Sequence, residues 1–234
     1  MTGAGEYLER CGWNMTGGSA GKTYNRFISE PSEIEKKSFE IISERLKDRV
    51  FPEGTEDIIK RVIHTTADFE YADNLVFSKD AVLRAEEAIR EGAVIVTDTE
   101  MALSGINKRA LSKLNCRALC FMSDPEVRSE AERRGVTRAM VSMERASKIK
   151  EKVIFAIGNA PTALITLHGL IESGAVEPAL IIGVPVGFVN VVEAKELILN
   201  SDVPHIVARG NKGGSTVAAA VCNAIFYDIC GWRR

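Results

Sequence analysis

Between residues 93 and 208 the chain repeats one unit five times: a short apolar, β-branched run, then a turn, then a helical pattern. The runs are AVIVT (93–97), RALCF (117–121), VIFAI (153–157), ALIIG (179–183) and HIVA (205–208). Runs that are apolar on both faces suit strands covered by helices on both sides, and the spacing between them fits right-handed crossovers. The pattern predicts an α/β fold, a three-layer α/β/α sandwich around a mainly parallel, doubly wound, five-stranded sheet of flavodoxin-like type. A chain of 234 residues, 45% of them hydrophobic, is long enough for one sizeable core, so a single domain is expected.

Helices precede the sheet. SEIEKKSFEIISERLKDRV, from Ser32 to Val50, places Ile34, Phe39, Ile41, Ile42 and Leu46 near helical spacing behind Pro31, which reads as an amphipathic helix. A second begins at Glu56 with Ile58, Ile59, Val62 and Ile63 apolar, and a third, DAVLRAEEAIREG, stops at Gly92. The reading divides the chain into an N-terminal arm, 1–30, and one domain, 31–234.

The last three strand-to-helix junctions carry the glycines. The first passes through Gly158, Asn159 and Pro161, the second through Gly183, Pro185 and Gly187, and the third through Gly210, Gly213 and Gly214 before Ser215. In a doubly wound sheet these turns gather at the carboxyl edge, where ligands usually sit. Glycines permit close backbone approach, and free N–H groups at helix N-termini bind anions. With Lys195, Arg209 and Lys212 near them, the three turns predict a site for a ligand bearing several separated negative groups. A tight connection is the plainer reading of each turn alone.

Other signals exclude functions. The 30 basic residues nearly balance 32 acidic ones, so no general pull toward nucleic acid or anionic membrane exists. TGGSAGKT, Thr16 to Thr23, ends like a P-loop, but Thr16 stands where that motif needs glycine and no strand leads in. No G-x-G-x-x-G follows a strand, so neither a nicotinamide nor an adenosylmethionine cofactor is expected. Five scattered cysteines and three distant histidines lack zinc-ligand spacing, so no metal is expected and the thiols read as buried and reduced. MTGAGEYLER is not a secretory signal and the longest apolar stretch is too short to span a bilayer; the expected compartment is a reducing cytoplasm. Asp98 and Glu100, after the first run, are open to three readings: metal binding, orienting a base, or capping the next helix.

His64, in RVIHTTADFEYADN, stands near the end of the second helix among hydroxyls and acids. Its neighbours leave a core histidine, a metal ligand and an acid–base catalyst all open. His168, in an apolar helix, and His205, starting a strand, read as structural.

Six ordered blocks resemble the precorrin-8X methylmutase (precorrin isomerase) family: KKSFEII (36–42), VIHTTADFEYA, TDTEMALSGI (97–106), GNAPTAL (158–164), GVPVGFVNVVEAKE (183–196) and RGNKGGSTVAAAVCNA (209–224). The likeness runs from about Pro31 to the C-terminus, and HTTADFE leans toward the cobalt-precorrin-8 branch. It implies an isomerase of cobalamin synthesis that moves a methyl group from C-11 to C-12 of a tetrapyrrole, giving cobyrinate or hydrogenobyrinate without adenosylmethionine. It further implies His64 as proton donor and acceptor, Ser38 against the substrate, Arg138 on the ring or a carboxylate, and a homodimer whose subunits help enclose each other's substrate. Gly158, Asn159, Gly187, Arg209, Gly213, Gly214 and Ser215 complete the expected substrate-binding set. Ala67 departs from the family, which usually has glycine there, so a positive φ becomes harder to accommodate. A non-catalytic tetrapyrrole carrier is the alternative; a receiver-like signalling domain fits poorly, because the third run ends in Gly158-Asn159 where a phosphoacceptor aspartate is needed.

Overall fold

The computed structural model describes Ile28 and residues 30–232. Cys11 and the TGGSAGKT stretch lie outside the described residues. Three helices come first: α1 (Pro31–Leu46), α2 (Glu56–Thr66) and the single turn α3 (Tyr71–Asn74). There follow β1 (Leu75–Phe77), α4 (Ala81–Arg90), β2 (Val94–Thr97), α5 (Glu100–Gly105), α6 (Lys108–Lys113), β3 (Arg117–Cys120), α7 (Pro125–Arg134) and α8 (Arg138–Ala146). The chain ends through β4 (Val153–Ile157), α9 (Pro161–Glu172), β5 (Leu180–Gly183), α10 (Val191–Leu199), β6 (His205–Ala208) and α11 (Ser215–Cys230).

The strand order is β1-β6-β5-β4-β2-β3. The five runs read from the sequence are β2 to β6, all parallel to one another, and in chain order they lie 2-1-3-4-5, the flavodoxin-like arrangement. The expected count of five is corrected to six. The extra strand, β1, runs antiparallel to β6, with Leu75 opposite Ala208 and Phe77 opposite Ile206. Three residues are too few to show an alternating pattern, and β1 covers an edge that would otherwise be open.

Strand residues alternate between two cores. Ile95, Ile154, Ile182 and Ile206 face α1, α2, α4, α5, α6 and α11, whereas Val96, Phe155, Ile181 and Val207 face α8, α9 and α10. α11, with Val217, Val221, Ile225 and Phe226 buried, is the pillar of the first face, and α2 packs along it. α1 departs from the sequence reading. Ile42 and Leu46 enter the core, but Ile34 and Ile41 stay 48% and 57% exposed. Among the described residues no helix is long and apolar enough to cross a membrane.

Candidate active site

α2 buries Ile58, Ile59, Val62 and Ile63, which leaves His64, in its last turn, half-buried on the side facing α1. Ala67 ends the helix in the left-handed region, φ 55° and ψ 23°, with its N–H donated to the Ile63 carbonyl at 2.7 Å. The expected difficulty is met directly: alanine adopts the positive φ, at a cost of about 1 kcal/mol relative to glycine.

Two consecutive residues of α1 hold the imidazole. Ser38 Oγ lies 2.8 Å from His64 Nδ1, and the Phe39 ring stacks on it with centroids 5.0 Å apart and planes 20° apart. Nε2 has no hydrogen-bond partner among the described residues. Burial, then the positive Arg61, hold the imidazole below its usual pKa, while Glu35 opposes them. A histidine with one nitrogen fixed and the other open is equipped to pass a proton. Ile34, Ser38 and Ile41 share one helix face by their spacing, so the hydroxyl is flanked by exposed apolar side chains.

The loop after His64 is tied to the third glycine turn. Lys212 Nζ reaches Asp68 Oδ2 at 2.6 Å and Glu70 Oε2 at 2.9 Å, and its hydrogen bond is the main reason the Asp68 carboxyl lies below the ordinary range. Lys195, only 1% exposed, donates to the carbonyls of Gly210 at 2.6 Å and Lys212 at 2.8 Å, and burial drops its pKa to about 8. Both lysines therefore brace the turn. The exposed Arg209 side chain has no partner among the described residues, although its N–H donates to the Asn74 carbonyl.

The expectation that all three turns offer open anion sites is corrected. In the first, the N–H groups of Gly158, Asn159 and Ala160 all donate to the Asp98 carboxylate, at 2.9, 2.8 and 2.6 Å. Of the roles open to Asp98, capping of the next helix falls to Thr99 at the start of α5, and Asp98 instead ties down the turn that leads into α9. Burial pushes the Asp98 carboxyl up against the pull of those donors. In the second turn Gly187 donates to the Asn211 carbonyl at 3.1 Å and its own carbonyl accepts from Asn211 Nδ2 at 2.7 Å, so two turns are locked together.

The glycines serve close backbone contact. A Cβ on Gly213, at φ 159°, would lie 2.1 Å from the Val184 carbonyl oxygen, and one on Gly158 would lie 2.8 Å from Ser215 Cα. Gly214 N–H donates to that Val184 carbonyl, and the Ser215 hydroxyl is 2.7 Å from Thr99 Oγ1. Among the described residues no side chain caps α11, nor α9 or α10, so the first N–H groups of α11 keep the anion-binding character expected of a helix start.

Arg138 is not brought to His64. It opens α8 on the opposite face of the sheet, exposed, with Nη1 donating to the Met122 carbonyl at 3.1 Å. Among the described residues no group of three or more metal-ligating side chains is placed to hold an ion. His205 is buried in β6 with Nδ1 2.9 Å from the Val203 carbonyl, and Cys116 and Cys222 are buried thiols with pKa values pushed up to about 11 and about 12. Sequence reasoning missed the Phe39 stack and the Glu35–Arg61 pair, because contacts between α1 and α2 depend on how the helices cross.

The family described as precorrin-8X methylmutase matches residues 33–228. The cobalt-precorrin-8 methylmutase of Salmonella typhimurium is 45% identical over 211 residues, covering 87% of this chain and 98% of its own. That of Priestia megaterium is 45% identical over 196 residues, covering 84% and 87%. The precorrin-8X methylmutase of Pseudomonas aeruginosa is 35% identical over 201 residues, covering 85% and 96%. The crystal structure of precorrin-8X methylmutase from Thermus thermophilus superposes with a TM-score of 0.78 at 36% identity, covering 85% of this chain and 98% of that one.

Proposed function

The chain belongs to the precorrin-8X methylmutase family, an isomerase family of cobalamin biosynthesis, and from that premise we propose that His64 is the group that moves the proton during the methyl shift. The substrate is the tetrapyrrole precorrin-8, and the cobalt-containing form is the one read here, because relatives at 45% identity carry that name. The methyl leaves C-11 and arrives at C-12 of the same ring, so nothing is gained or lost overall. A proton placed on the conjugated system makes it electron-poor and eases the migration. His64 Nε2 gives that proton and takes it back after the shift. The observation that carries this reading is the fixed Nδ1 and open Nε2 of an imidazole whose pKa is held low.

The apolar ring has a bed in Ile34 and Ile41 on either side of Ser38. Its carboxylates have the Arg209 side chain and the uncapped start of α11. Cys116, Cys120, Cys222 and Cys230 are free thiols, Cys116 and Cys222 buried and the other two only partly so, which suits the proposed cytoplasmic setting. Purified protein given cobalt-precorrin-8 with no adenosylmethionine should produce cobyrinate, followed by visible absorbance. Spectral binding without conversion would instead establish the carrier reading.

Arg138 and His64 lie on opposite faces of one sheet, so a site using both needs a second copy. The proposed assembly is a homodimer in which Arg138 of the partner subunit completes the site; the exposed Val186, Phe188 and Val189, with Phe188 92% exposed, supply apolar surface for the contact or the ring. Mixing inactive His64→Ala chains with inactive Arg138→Ala chains should restore about a quarter of the wild-type activity, since half of randomly formed dimers then contain one intact site. No restoration after subunit exchange, or an active monomer by light scattering, removes the shared site.

A further inference from the structure

We propose that the Glu35–Arg61 ion pair is a positioning device for His64, acting through the ring of Phe39: it clamps Phe39 against the imidazole, and its two opposed charges act on the proton the imidazole carries. The inference rests on the reading of His64 as the proton carrier. Arg61 Nη1 meets Glu35 Oε1 at 2.8 Å, and both side chains are more than four-fifths buried, at 16% and 17% exposure. An ion pair so placed is screened far less by solvent than the many exposed pairs of the surface.

The guanidinium lies over two rings, 4.7 Å from the centroid of Phe39 and 5.2 Å from that of Tyr227. Phe39 in turn stacks on His64. Glutamate, arginine, phenylalanine and imidazole therefore form one layered column, with α1 contributing Glu35, Ser38 and Phe39, α2 contributing Arg61 and His64, and α11 contributing Tyr227. The column keeps Nδ1 against Ser38 and leaves Nε2 as the moving end. A cation over an aromatic face is attracted by the ring quadrupole, so removing it loosens the ring as well as removing charge.

Among the described residues two charges act on the imidazole. Arg61 comes from its own helix and Glu35 from α1, and they act in opposite directions. Asp57 and Lys60 on α2 and Asp228 on α11 line the cleft beyond Arg61, of about 310 Å³, and Lys60 is paired with Glu56. If His64 must be protonated to begin the shift, the rate falls as pH rises through its pKa. Removing the positive Arg61 raises that pKa and moves the alkaline limb to higher pH; removing the negative Glu35 lowers it and moves the limb the other way.

The test is the pH profile of kcat on cobalt-precorrin-8 for wild type, Arg61→Gln, Arg61→Lys and Glu35→Gln, beside an NMR titration of the His64 imidazole in each. Well above the limb, Arg61→Gln should lose less activity with pH than wild type and Glu35→Gln more, each by a factor of about 3 relative to its own plateau. Arg61→Lys, which keeps the charge, should return the limb toward its wild-type place. Opposite shifts in both readouts support the proposal. Limbs and imidazole titrations that stay put, or that shift in the same direction for both neutral variants, overturn it. If the imidazole titration shifts as expected while the rate profile does not, the column stands and the reading of His64 as proton carrier fails. Should Arg61→Gln not fold, Glu35→Gln alone decides.

Discussion

His64→Ala is expected to lower turnover of cobalt-precorrin-8 by ~10²–10⁴, the range over which general acid–base catalysis contributes, while cobyrinate still binds. The contrast follows from where the groups sit. The proton carrier is on α2, whereas the carboxylate partners proposed are Arg209 and the start of α11, which the substitution does not touch. In free-energy terms the loss is about 3–5 kcal/mol of transition-state stabilisation. The fold should lose far less, on the order of 1 kcal/mol, because His64 is half-buried and gives up one hydrogen bond and one ring contact. Rates normalised to folded protein, with a melting curve on the same sample, separate the two effects. An active His64→Ala protein with a lowered Tm would make His64 a structural histidine and end the mechanism.

The legibility of this fold in its sequence divides along a physical line. β2, β4, β5 and β6 are buried along their length, so continuous apolar runs identify them, and the start of α2 at Glu56 follows from its apolar spacing. β1 leaves no such trace, because three residues on an edge take their conformation from β6 rather than from their own pattern. Ile34 and Ile41 mislead in a different way: they are apolar and helically spaced, yet face outward beside Ser38, on the face proposed above as the bed of the apolar ring. The site was legible as a set of residue types and not as a set of contacts. Nothing local in KKSFEII and VIHTT says that Ser38 and Phe39 hold His64, since 26 residues separate the hydroxyl from the ring nitrogen. The glycine turns were located correctly at one edge of the sheet, but whether an N–H faces a ligand or an internal carboxylate depends on a residue 60 positions away.

That carboxylate is the subject of the second large effect: Asp98→Ala is expected to cost about 3–5 kcal/mol of stability, a fall in Tm of roughly 10 °C for a domain of this size. Asp98 is fully buried, and its two oxygens accept from three backbone N–H groups at the start of the β4–α9 connection. Alanine leaves those donors unsatisfied in a space closed by the contact of Gly158 with Ser215, and each buried orphan costs about 1–3 kcal/mol. Asp98→Asn should fall between the two, since its oxygen can serve Asn159 and Ala160 but its NH₂ then faces the Gly158 N–H. Formate, small enough to replace the missing carboxylate, should raise the Tm of Asp98→Ala more than that of wild type. The position has a further consequence for function. Asp98 ends β2 beside β4, the place where the order of the parallel strands reverses and where a doubly wound fold ordinarily receives a negatively charged ligand. Here the N–H groups of Gly158, Asn159 and Ala160 are already taken by the protein's own carboxylate, which leaves the substrate carboxylates the partners proposed above, Arg209 and the start of α11. An Asp98→Asn protein that melts like wild type yet fails to turn over substrate would contradict this, because Asp98 would then take part in the chemistry instead of holding that turn.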